Sequence, residues 1–149
     1  MKFRIIYLLI VVALLGVGCT KLTQTIPAAP PVPSGTFTGT FRYLHRHTNK
    51  VPFDTLQANI TVKLLTNTSP FSYTVTGDTA TVHAGSFGSF SVTSPYIVFT
   101  DQTFPTSGTP TKKHLNGAYL YYYDGTVFQM LAYNADTLGV QYDLKKVSN

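Results

Sequence analysis

Few side chains in this 149-residue sequence could do chemistry. Histidines stand at His45, His47, His83 and His114, the single thiol is Cys19, and the acids are six aspartates with no glutamate. His45 and His47 are two residues apart, so on an extended segment both imidazoles project to one side, as two ligands of a shared metal would. No carboxylate or thiol is placed to complete a tetrahedral set, so the four histidines are expected as exposed loop residues, and no metal or cofactor is expected. The aspartates fall chiefly in turns, where a carboxylate caps local N–H groups. There is no Gly-X-Ser-X-Gly elbow, no glycine-rich phosphate loop and no His-Glu-X-X-His, and without glutamate no Glu-based acid/base pair, so no enzyme chemistry is expected. Tyr119, Tyr121, Tyr122, Tyr123, Tyr133 and Tyr142 offer flat rings with polar tips, which suit sugars or other flat ligands. Their alternation sends them to both faces of a strand, the pattern of a core and an outer wall.

The elements that must position these residues are strands. From Gly35 onward the sequence alternates with period two. Phe37, Gly39, Phe41 and Tyr43 form one face of a first run, and Ala58, Ile60, Val62 and Leu64 the inner face of a second. Further runs carry Phe71, Tyr73 and Val75; Ser86 to Val92; Tyr96 to Phe99; Ala118 to Tyr123; Val127 to Tyr133; and Leu138, Val140, Tyr142 and Leu144. Turn residues separate them at Gly77-Asp78, Ser94-Pro95, Asp124-Gly125 and Asn134-Ala135-Asp136. Asp124-Gly125 predicts a two-residue type I′ hairpin in which Tyr121 faces Phe128 and Tyr119 faces Met130. Eight sequential strands without a helix-length crossover predict an all-β fold, an eight-stranded up-and-down antiparallel barrel, with a β-sandwich as the alternative.

In such a barrel the odd-numbered connections share one rim. Those are the long ones, Leu44 to Leu56, Gly77 to Gly85, Asp101 to Gly117 and Asn134 to Thr137, and they are expected to form a mouth. Arg46, Lys50, Lys112 and Lys113 lie there with Asp54, Asp78, Asp101 and Asp136, so a mixed-charge rim is expected rather than an anion site. Inward-facing Phe41, Tyr43, Tyr119, Tyr121 and Phe128 are the candidate lining for a small apolar ligand.

The first nineteen residues set the place of action. Lys2 and Arg4 precede an apolar run, Ile5 to Val17, that is short of the about 20 residues a membrane span needs. Leu14-Leu15-Gly16-Val17-Gly18 before Cys19 resembles the lipobox of bacterial lipoprotein signals, with Gly16 where leucine is usual. The resemblance implies a signal peptide over 1–18, lipidation of Cys19 and, with Thr20 following, an outer-membrane location. Residues 19–34, containing Pro27, Pro30, Pro31 and Pro33, are expected as an extended tether reaching roughly 45 Å from the lipid. Of the eleven Lys and Arg, Lys2 and Arg4 leave with the signal, so the remaining excess over aspartate is too small to argue for nucleic acid.

Residues 35–149 resemble the lipocalin-like (calycin) class found in small lipoproteins of the Bacteroidota. The residues that carry the likeness are Gly35-Thr36-Phe37, where lipocalins usually have Gly-X-Trp, and the basic pair Lys145-Lys146 closing the last strand. The class implies a barrel that holds one small apolar ligand. An eight-stranded barrel can equally be filled by its own side chains, and would then act as an accessory envelope lipoprotein through protein contacts.

Overall fold

The computed structural model describes residues 30–46, 52–134 and 138–147. Cys19, the signal stretch, His47 and the Ala135-Asp136 part of a predicted turn lie outside the described residues. Eight strands follow one another: β1 (Gly35–His45), β2 (Asp54–Leu65), β3 (Phe71–Gly77), β4 (Ser86–Thr93), β5 (Tyr96–Asp101), β6 (Gly117–Tyr123), β7 (Val127–Asn134) and β8 (Leu138–Lys146). Each pairs antiparallel with the next, and β8 returns to β1. The sheet is thus a closed up-and-down barrel, and the sandwich alternative falls away. The β1–β8 seam runs from Phe37↔Lys146 to His45↔Leu138, so closure is made by a full strand pairing.

Alternation sorts the side chains as the pattern requires. Ala58, Ile60, Val62 and Leu64 of β2 are buried, as are Tyr142 and Leu144 of β8. Tyr119, Tyr121 and Tyr123 point into the barrel from β6, while Leu120 and Tyr122 between them are exposed. The interior is aromatic. Near the short connections Phe37 meets Tyr123 edge-on at 5.6 Å and Phe128 at 5.1 Å. Deeper in, rings run from Phe41 through Tyr142, Tyr119 and Phe99 to Tyr73, with successive centroids 5.0 to 6.0 Å apart. Edge and tilted contacts of this kind add to the area these rings bury.

The β6–β7 hairpin corrects the predicted register. Tyr121 pairs with Met130 and Tyr123 with Phe128, so the loop is longer than the two residues expected. The reason is local. Asp124 Oδ1 accepts the N–H groups of Thr126 (2.8 Å) and Val127 (2.7 Å), drawing both into the turn. Those backbone donors, Val127 first, hold the Asp124 carboxyl below its ordinary value. Gly125 sits at φ 101°, a conformation L side chains rarely adopt. Gly125→Val should therefore cost about 1–2 kcal/mol, read as a lowered melting temperature; melting at the wild-type temperature would refute the strain assigned to this turn.

The short connections and both ends of the barrel chain lie at one rim. Lys146 N–H donates to Thr126 O and Val147 N–H to Thr36 O. Residues 30–34, the described part of the expected tether, rest against this end: Pro33 is buried, Thr66 Oγ1 donates to Ser34 Oγ at 3.0 Å, and the Tyr121 hydroxyl reaches the Pro30 carbonyl at 3.5 Å. Pyrrolidine rings are apolar enough to cover this end, so Pro33 packs as part of the folded body.

Candidate functional site

At the opposite rim the two longest described connections, 78–85 and 102–116, turn inward and lock to each other. Their junction is a parallel bridge between His83 and Lys113. Ala84 N–H donates to Lys113 O at 2.8 Å and Lys113 N–H to Val82 O at 2.9 Å. Lys112 Nζ adds a bond to Thr79 O at 3.1 Å. The two loops drive His83 and Leu115 into the barrel, both fully buried.

This corrects the reading of His83 as an exposed loop histidine. Its ring packs edge-on to Phe41 at 4.6 Å and to Tyr142 at 5.7 Å. Nδ1 lies 2.6 Å from Ala84 O and so carries the proton, leaving Nε2 to accept from the Tyr142 hydroxyl at 2.9 Å. Burial lowers the His83 pKa to about 4, against a smaller upward pull from the Ala84 carbonyl. The same burial raises the phenols of Tyr142, Tyr73 and Tyr119. At neutral pH all of them are uncharged, so the group is a latch of hydrogen bonds between rim and core, with the Tyr73 hydroxyl donating to Leu115 O at 2.6 Å as a second tie.

A second polar knot anchors the longer loop. Asp101 is buried, and its Oδ2 accepts from His114 Nδ1 at 2.7 Å. Its Oδ1 takes both the N–H (2.7 Å) and the hydroxyl (2.6 Å) of Thr103. Phe104 covers the His114 ring at 5.3 Å. Asp101 therefore does not belong to the exposed rim where the sequence placed it. Elsewhere on this rim Lys113 Nζ lies 4.2 Å above the Tyr43 ring, and the Arg46 guanidinium 4.0 Å above Phe53. Such cation–ring contacts tie rim charges down instead of offering them to an anion.

The candidate lining residues all come from strands. Phe41, Tyr119, Tyr121 and Phe128 are buried inside the barrel, and Tyr43 is half-buried at the rim. Phe41 and Tyr119 both contact the Tyr142 ring, at 5.0 and 5.6 Å, and Tyr121 meets Phe128 edge-on at 6.5 Å. His45 stacks on Tyr43 at 6.4 Å, and its expected partner His47 lies outside the described residues. Among the described residues no three His, Cys, Asp or Glu come together as a metal set.

One feature that sequence reasoning missed lies on the outer wall. A cleft of about 290 Å³ crosses β6, β7 and β8, and its outward-facing lining is Leu120 and Tyr122, Gln129 and Leu131, and Gln141 and Asp143. Asp143 Oδ2 receives Arg42 Nη1 and Gln141 Nε2 (2.9 Å), and its Oδ1 receives Gln129 Nε2 (3.0 Å). The lining comes from three consecutive strands, and the predicted hairpin register would have paired β6 with β7 differently, so only the observed pairing brings these residues together.

Fold and sites together define a closed antiparallel barrel with a ring-rich core, a latched rim and an amphipathic outer cleft. No family model, no curated protein and no solved structure matches this chain.

Proposed function

We propose that this protein is a lipid-anchored binding lipoprotein of the outer membrane, and that it acts from the outside of its barrel as an accessory to other envelope components. The observation that carries the second half is the occupied interior, where His83 and Leu115 complete a core already built of rings. An apolar ligand held inside would have to expel both and leave the Tyr142 and Tyr73 hydroxyls without their partners, at about 1–3 kcal/mol per orphaned group. The first half rests on the sequence before Cys19. Because Pro30–Ser34 docks at the short-connection rim, an anchor on Cys19 turns the latched rim away from the membrane.

Two measurements test this. When the full chain is expressed in a Gram-negative bacterium, it is expected in the outer-membrane fraction, with Cys19→Ala released to the periplasmic fraction; equal partition of the two would overturn lipid anchoring. Native mass spectrometry of protein taken from its own host is expected to show the bare chain plus its lipid. A retained apolar molecule would instead favour the lipocalin-like reading, a small ligand held near Phe41, Tyr43, Tyr119, Tyr121 and Phe128.

A further inference from the structure

We infer that the outer cleft over β6, β7 and β8 is a binding site for a neutral pyranose residue of a glycan. The inference deepens the reading of a barrel that binds from its outside, and it stands on the arrangement of two cross-strand rows. In one, Tyr96 pairs with Leu120, Leu120 with Leu131, Leu131 with Gln141 and Gln141 with Arg42. In the next, Tyr122 pairs with Gln129, Gln129 with Asp143 and Asp143 with Thr40. Both rows change from hydrocarbon and ring to amide and charge in the same direction. The cleft therefore has an apolar side adjoining a hydrogen-bonding side.

A pyranose ring has the matching division, with C–H groups on its faces and hydroxyls around its edge. The half-exposed Tyr122 ring and Leu120 offer surface to the C–H face. Gln129 and Gln141 each use one amide N–H on Asp143, which leaves the other N–H and the Oε1 of each to meet a hydroxyl as donor and acceptor. Three long side chains converging on one carboxylate are held in place before any ligand arrives, which reduces the entropy that binding must overcome.

Other ligand classes fit less well. The Asp143 charge is matched by Arg42, so neither an anion nor a cation finds an uncompensated partner. A purely apolar ligand would strip water from two carboxamides and a carboxylate without replacing it. An extended peptide has no strand edge to join, because every strand of the closed barrel already has two neighbours. The volume is at the small end for ligand sites, the size of a single sugar residue.

The test is saturation-transfer NMR on the purified full chain, with glucose, galactose, mannose and N-acetylglucosamine and their short oligomers as probes. Transfer to the ring C–H protons of at least one sugar is expected, with affinity in the millimolar range for a monomer. Tyr122→Ala and Gln141→Ala should each weaken it about tenfold or more. Phe87→Ala, at an exposed ring on β4 outside the cleft, should leave it unchanged. Near-ultraviolet circular dichroism confirms that the variants fold. Absence of transfer from every sugar, or transfer that persists in both cleft variants, overturns the assignment, as does self-association through this face in place of sugar binding. Because the readout is on purified protein, it is independent of the fractionation of Cys19→Ala.

Discussion

Gly39→Ala is expected to destabilise the barrel by at least about 3 kcal/mol, the upper range for forcing one extra carbon into a packed site. Gly39 lies on the β1–β8 seam opposite Leu144. A Cβ there would meet the Asp143 carbonyl oxygen in frank overlap, with Leu144 Cα only 2.9 Å away. Those neighbours are backbone atoms of the strand that closes the sheet, so they cannot rotate aside as a side chain would. Relief would require β1 and β8 to separate at the point where the barrel is sealed. Gly85→Ala is the control, since its Cβ would find ordinary contact distances of 3.6 Å and more, and its effect should stay within about 0.5 kcal/mol. Urea unfolding of the two variants beside the wild type checks this, and equal midpoints would show that the seam is not held as described.

Acid should weaken the fold through His83. Its folded pKa of about 4 lies below the ordinary 6.5 because burial disfavours the charged ring. Between those values the unfolded chain binds a proton that the folded one does not, so the contribution is whole above 6.5 and is lost as pH falls toward 4. Two and a half pH units of displacement correspond to about 3 kcal/mol. His83→Gln keeps a group able to bond both Ala84 O and the Tyr142 hydroxyl but removes the titration. The expected result is a wild type that loses about 3 kcal/mol more than the variant between about pH 7 and pH 4 in urea titrations. Parallel pH profiles would mean that His83 is reached by solvent and that the loops do not seal the rim.

The strands were legible because one buried face imposes period-two alternation, and β2, with Ala58, Ile60, Val62 and Leu64 inward, is as clear as such a pattern becomes. The Tyr121↔Met130 register was not, because the same Asp-Gly pair serves a tight turn or a longer one, and the difference lies in where the Asp124 carboxylate finds its donors. His83 was misread for a related reason. A single valine, Val82, beside a histidine in a loop does not signal burial, and the bridge to Lys113 that pulls it inward joins residues thirty positions apart. The outer cleft left no trace in the sequence, since alternation names a face as outer without saying which outer residues are neighbours.

The β1–β8 pairing has one more consequence. The chain enters β1 and leaves β8 side by side, with Val147 N–H bonded to Thr36 O at 2.8 Å, so the barrel is topologically a ring with a single cut. No strand depends on the cut being where it is. A circular permutant joined across these ends and reopened in the 102–116 connection would keep every strand pairing while carrying its leading end at the other rim. The same body would then sit inverted on whatever holds it, so the way this barrel faces is a property of where the polypeptide begins and is not imposed by the sheet.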